Sequence, residues 1–167
     1  MSLRERSATD KVLDARERYV AAGVSTPPLV VARAEGAPFT RADLLGKRTL
    51  LVFYPFAFSP VCTDQLSIYN ELLDEFGAHG LTLYGVSCDA GYSQEAFRQQ
   101  LGLDIEQLSD FEPKGAVCEA FGVLHPRGMP ERALVVIGPD GVIKWSYQAP
   151  QLAELPGANL IFDALDS

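Results

Sequence analysis

The chain is 167 residues long, 47% hydrophobic and 22% charged, which suits one soluble domain with its own core and is short for two. A net charge of −8 and a pI of about 4.7 argue against nucleic acid or an anionic membrane surface as the main partner. No apolar run approaches the ~20 residues needed to span a bilayer, and the charged N-terminus (Arg4, Glu5, Arg6, Asp10, Lys11) does not read as a secretory leader.

Ser7-Ala8-Thr9-Asp10 reads as a capping box, and Val12, Ala15, Tyr19 and Ala22 then recur at helical spacing up to Gly23. A helix over residues 7–22 is expected, and Ser25-Thr26-Pro27-Pro28 breaks the chain after it. Residues 1–26 are therefore read as an N-terminal helical extension and 27–167 as the main domain. Leu29 to Ala32 is a short strand candidate, followed by a turn region around Gly36 and Pro38 and one helical turn over Arg41 to Gly46. Thr49 to Tyr54 is apolar throughout, as in a central strand covered on both faces.

Pro55-Phe56-Ala57-Phe58-Ser59-Pro60-Val61-Cys62 joins that strand to an amphipathic segment. Ser59 is a good N-cap and Pro60 suits the first helical position, so Cys62 falls in the first turn. Outward-pointing N–H groups and the positive end of the helix dipole favour a thiolate there. The helix carries Leu66, Tyr69, Leu72, Leu73 and Phe76 on one face and is expected to run to Gly77. Leu81 to Ser87 is a second buried strand, Ser93 to Leu101 a helix, and Gln107 with Leu108 a short extended piece. Pro113 is expected to open a short helix that Gly122 closes. Arg132 to Ile137 and Val142 to Tyr147 form a hairpin about Asp140-Gly141, and Leu155 to Leu165 is a last helix.

Buried strands joined through helices must pair in parallel, whereas the hairpin is antiparallel. The expected fold class is thus α/β and thioredoxin-like: a mixed central sheet flanked by helices, with the reactive cysteine where ligands to such sheets collect. Three cysteines without tight spacing do not make a disulfide scaffold. A reducing, cytoplasmic location with functional thiols fits better.

Pro55 to Cys62 matches the signature Pro-x-x-x-Thr/Ser-x-x-Cys, and Arg132 enters the strand before the Asp-Gly hairpin. In both features, over about residues 27–165, the chain resembles the peroxiredoxins. The segments around Phe53 to Phe58 and Leu108 to Phe111 look most like the one-cysteine alkyl hydroperoxide reductase E branch. The resemblance implies a thiol-dependent peroxidase. Cys62 would attack a hydroperoxide and become a sulfenic acid. Arg132 would stabilise charge on the peroxide oxygens, Ser59 would hold the peroxide in line, and Pro55 would wall off the pocket. A homodimer is also implied. Gln65, one turn after Cys62, is a candidate to bond near the site, and His125 to line the pocket.

The family's common resolving positions fall on Ser67 and Phe97, which leaves Cys88 and Cys118 as the other thiols. Cys88 is expected at the same sheet edge as Cys62, and Cys118 as a small core residue. The default is an external reductant, either a thioredoxin-like or glutaredoxin-like protein or a low-molecular-weight thiol. The alternative is a non-enzymatic redox sensor or a thiol–disulfide exchange protein using Cys62 with Cys88. His79 is expected to interact with the carbonyl end of its helix, and Trp145 to sit in the core or a dimer interface. Two isolated histidines give no metal site, and no phosphate loop or dinucleotide fingerprint calls for a cofactor.

Overall fold

The computed structural model describes residues 23–166. The helix expected over residues 7–22 lies outside them.

Alternation of apolar faces builds one seven-stranded sheet. Its strands in chain order are β1 (Val30–Ala32), β2 (Pro38–Thr40), β3 (Arg48–Phe53), β4 (Leu81–Ser87), β5 (Glu106–Ser109), β6 (Ala133–Ile137) and β7 (Ile143–Gln148). Across the sheet the order is β2-β1-β5-β4-β3-β6-β7. β3, β4 and β5 are parallel, while β6 runs antiparallel to β3 and β7 antiparallel to β6. Asp140-Gly141 closes the hairpin as expected, with Gly141 at φ +77° and its N–H on the Gly138 carbonyl at 2.9 Å.

β3 is buried on both faces and sorts the core into two layers. Leu51 and Phe53 point to one side with Tyr84, Val86, Leu108, Val117, Phe121 and Val135. Leu50, Val52 and Tyr54 point to the other, with Leu66, Tyr69, Phe76, Leu83, Phe97, Val136 and Ile161. The helices on that second side are α1 (Pro60–Glu71), α2 (Leu73–Ala78), α3 (Gly91–Leu101) and α5 (Ala158–Leu165); α4 (Ala116–Ala120) covers the first.

Several elements depart from expectation. The turn region around Pro38 contains β2, whose register pairs Val31 with Phe39 and buries Phe39 completely. The long helix after Cys62 divides at Leu72, whose N–H reaches the Tyr69 carbonyl at 3.1 Å in a tighter turn before α2 begins. Pro113 does not open a helix. It lies in the turn before Gly115, and α4 starts at Ala116, where the Asp110 carboxylate takes the Val117 and Cys118 N–H groups at 3.1 and 2.8 Å. The last helix begins at Ala158 rather than Leu155, because Pro156 precedes it and offers its carbonyl to Tyr69. Gly23 to Thr26, grouped by sequence with the extension, bond to the start of β7: the Gly23 N–H meets the Ile143 carbonyl and the Thr26 N–H the Gly141 carbonyl, each at 2.9 Å.

Candidate active site

β3 ends at Phe53, and the chain must turn sharply to bring α1 back across the sheet. Pro55 is buried in that turn, and the Tyr54 N–H still bonds to the Val86 carbonyl of β4 at 3.0 Å. Phe58 completes the turn at φ +70°, the one residue other than glycine with positive φ among those described. That conformation costs on the order of 1–2 kcal/mol for an L side chain. The Phe58 ring packs on Phe97 at 5.3 Å between centroids, which helps hold it there.

Ser59 then caps α1. Its backbone carbonyl takes the Thr63 N–H at 2.9 Å and its Oγ takes the Cys62 N–H at 3.4 Å. Asp89 secures the other side of the loop by accepting the Ala57 N–H at 2.8 Å while also accepting from Ser87 Oγ at 2.8 Å. Nothing in the sequence around Asp89 singled it out, since a carboxylate after a strand is ordinarily a solvated turn residue.

α1 buries Cys62, Gln65, Leu66 and Tyr69, the i, i+3, i+4, i+7 stripe of a helix packed on a sheet. Arg132 enters this layer just before β6, and only 2% of it is exposed. Its Nε donates to the Leu152 carbonyl at 2.7 Å, its Nη1 to Gln65 Oε1 at 2.7 Å and its Nη2 to Cys62 Sγ at 3.4 Å. The planar fork thus uses all its edges. No carboxylate pairs with it among the described residues. Gln65 Nε2 in turn donates to the Tyr69 hydroxyl at 3.3 Å, and that hydroxyl donates to the Pro156 carbonyl at 2.6 Å. Burial pushes the Tyr69 phenol up to about 12, so it stays a neutral donor.

The residues singled out by sequence therefore converge in part. Cys62, Ser59, Gln65 and Arg132 are joined by hydrogen bonds, and Pro55 is buried at the head of the same loop. His125 does not join them: its Nδ1 accepts the Arg127 N–H at 3.0 Å within its own turn. His79 Nδ1 sits 3.0 Å from the Glu75 carbonyl, in keeping with a helix-end role. Trp145 is half-buried and stacks beside Tyr147 against the layer that holds Cys62.

Cys88 follows β4 at the sheet edge where Cys62 follows β3, but it does not share the layer of Cys62. Cys88 and Cys118 both pack in the opposite layer from Cys62, because Cys88 follows Val86 on the far face of β4. The central sheet separates them, so the Cys62–Cys88 pairing weighed from sequence has no support in the fold. Phe56 and Phe58, each about half exposed, lie on the loop that leads into α1.

Chemistry on this side of the sheet falls to a single thiol, and the class is a thiol-based oxidoreductase on a thioredoxin-like frame. The comparisons with known proteins narrow it. The AhpC/TSA family model matches residues 22–146. Alkyl hydroperoxide reductase E of Mycobacterium bovis is 32% identical over 120 residues, covering 71% of this chain and 78% of that protein. A Thermotoga petrophila peroxiredoxin is 30% identical over 135 residues, covering 77% of this chain but only 63% of its own length. Among solved structures, the peroxidoxin BcpB of Mycobacterium tuberculosis superposes with a TM-score of 0.76 at 26% identity, covering 87% of this chain and 96% of that one. The chain belongs to the AhpC/TSA family, the peroxiredoxins, and with them to the thiol-dependent peroxidases.

Proposed function

We propose that Cys62 is the peroxidatic thiol and that Arg132, Ser59 and Pro55 complete its site. The observation that carries this reading is the Arg132 guanidinium, buried 3.4 Å from Cys62 Sγ with only neutral oxygens as its other acceptors. A buried cation without a carboxylate is costly. A thiolate at Cys62 is the anion placed to offset it.

In the reaction, the thiolate attacks one oxygen of a hydroperoxide and the O–O bond breaks. The leaving alkoxide or hydroxide takes up a proton, and Cys62 becomes a sulfenic acid. Arg132 stabilises the charge that develops on the peroxide oxygens, which is the preorganised electrostatic help such a step needs. The Ser59 hydroxyl accepts from the Cys62 N–H and can donate to the peroxide, holding it in line. Pro55 offers no N–H and closes the wall of the site, shielding the sulfenic acid from water. Phe56 and Phe58 give the mouth an apolar rim suited to organic hydroperoxides as well as hydrogen peroxide.

An external thiol then attacks the sulfenic sulfur. Water leaves, and a second thiol releases the mixed disulfide to restore Cys62. Thioredoxin-like or glutaredoxin-like proteins and low-molecular-weight thiols all fit this step. A cytoplasmic homodimer with an N-terminal extension over residues 1–26 completes the proposal. No helix among the described residues is long and apolar enough to cross a membrane.

Stopped-flow oxidation by hydrogen peroxide tests it. Cys62 should react orders of magnitude faster than a free thiol, and Cys62→Ser should abolish the fast phase. One equivalent of peroxide without reductant should add a single oxygen to Cys62. A rate like that of free cysteine would overturn the reading.

A further inference from the structure

Behind the sheet, two chain segments far apart in sequence bring together a second group of thiol chemistry. Cys88 directly follows β4 and Cys118 lies in α4, and their sulfurs and an Asp110 carboxylate oxygen all lie within 4.8 Å of one another. All three residues are buried, and both cysteines are reduced. Gly115 stands beside them at φ +76°, and a Cβ there would come within 3.8 Å of Cys88 Sγ. Leu124 fills the space a side chain there would take, 2.9 Å from that Cβ position, and packs beside the same sulfur.

We propose that Cys88 and Cys118 are a second redox site, a dithiol that hydroperoxide oxidises to an intramolecular disulfide independently of Cys62. The sulfurs lie within 4.8 Å of each other, and a disulfide needs them to close to about 2.05 Å. The Cys118 thiol donates a hydrogen bond that lowers the Cys88 pKa and raises its own. Cys88, 6% exposed against 0% for Cys118, is the sulfur a peroxide meets first and acts as the nucleophile. Cys88 attacks one peroxide oxygen, the O–O bond breaks, and the alkoxide leaves as the alcohol after taking a proton. Cys118 sulfur then attacks the Cys88 sulfenic acid, the S–S bond forms, and water leaves with the Cys118 proton. A dithiol reductant reverses the step by exchange.

A metal site fits these residues less well. Two sulfurs and one carboxylate fall short of the four protein ligands of a structural zinc site. Both Asp110 oxygens already accept N–H groups of α4. Asp110 reads as the helix cap that fixes Cys118 opposite Cys88.

The test removes the first site so that its fate cannot decide the second. Cys62→Ser protein, with Cys88 and Cys118 intact, is treated with excess hydrogen peroxide, and its thiols are titrated after unfolding. Both thiols should disappear with the loss of two hydrogens in mass. Non-reducing tryptic digestion should join the peptide Thr49–Arg98 to Gly115–Arg127, and dithiothreitol should restore both thiols. In Cys62→Ser/Cys118→Ala no such link can form, and Cys88 should instead gain oxygen. Persistence of both thiols in Cys62→Ser overturns the proposal. So does oxygen added to either sulfur without a cross-link, or protection of the pair by a bound divalent metal in the purified protein.

Discussion

Replacing Arg132 with methionine removes the charge and keeps most of the volume. Two unit charges 3.4 Å apart at an effective dielectric of about 20 interact by about 5 kcal/mol, which bounds the support that a Cys62 thiolate draws from the guanidinium. Water entering the shortened site returns part of this. Loss of one preorganised donor at a developing charge costs on the order of 10²–10³ in rate, and that is the expected fall in the second-order constant with hydrogen peroxide. The same change leaves Gln65 Oε1 and the Leu152 carbonyl without their donor, at about 1–3 kcal/mol each. Arg132→Met should therefore lose stability as well as rate. Arg132→Lys separates the two effects, since it keeps the charge but has one nitrogen where the guanidinium reaches its three acceptors from three. Its rate should lie between those of wild type and Arg132→Met. Rates are read by stopped flow and stability by urea unfolding. An Arg132→Met variant that stays folded and reacts within threefold of wild type would refute the reasoning.

Two further outcomes follow from local geometry. Phe58→Ala and Phe58→Gly lose the same contact with Phe97, but only glycine relieves the positive φ, so Phe58→Gly should be the more stable by about 1 kcal/mol in urea unfolding; the reverse order would mean that the turn is unstrained. Burial raises the pKa of Glu131 above that of an unfolded glutamate, near 4.3, so its ionised form costs stability above the folded value and nothing below the unfolded one. Glu131→Gln should thus raise the thermal midpoint at pH 7, with the gain fading as pH falls toward about 4 and gone below it, and a gain equal at pH 7 and at pH 4 would rule out this cause.

The sequence was most legible where local chemistry and long-range order agree. Ser59-Pro60 marks the start of α1, and Asp140-Gly141 marks the hairpin, because caps and turns are written in a few adjacent residues. β3 and β4 declare themselves by nearly continuous apolar runs, broken in burial only at Arg48 and Thr82. What could not be read depends on partners distant along the chain. β2 is a strand only because β1 pairs with it, and Pro113 belongs to a turn because Asp110 caps the next helix instead. Phe58 gives no sign of its positive φ, since the residue type argues against it. Cys88 was placed at the right edge of the sheet, but its layer depends on the phase of β4, where Gly85 faces the Gln107 side chain that bonds the Tyr54 hydroxyl at 2.6 Å. A single step of alternation decides which cysteines share a compartment.

The surroundings of Cys62 also carry a timetable. Arg132 follows Cys62 by 70 residues, and Leu152, whose carbonyl anchors the guanidinium, comes 20 residues after Arg132. Pro156, which fixes Tyr69, lies 87 residues beyond that tyrosine. A chain leaving the ribosome exposes its cysteine long before any of these groups has been made. Half-made molecules therefore hold Cys62 without its cation, and the full setting of the sulfur arises only once the last quarter of the chain has docked. The guanidinium clasp makes the site a product of completed synthesis rather than of the motif that bears the thiol.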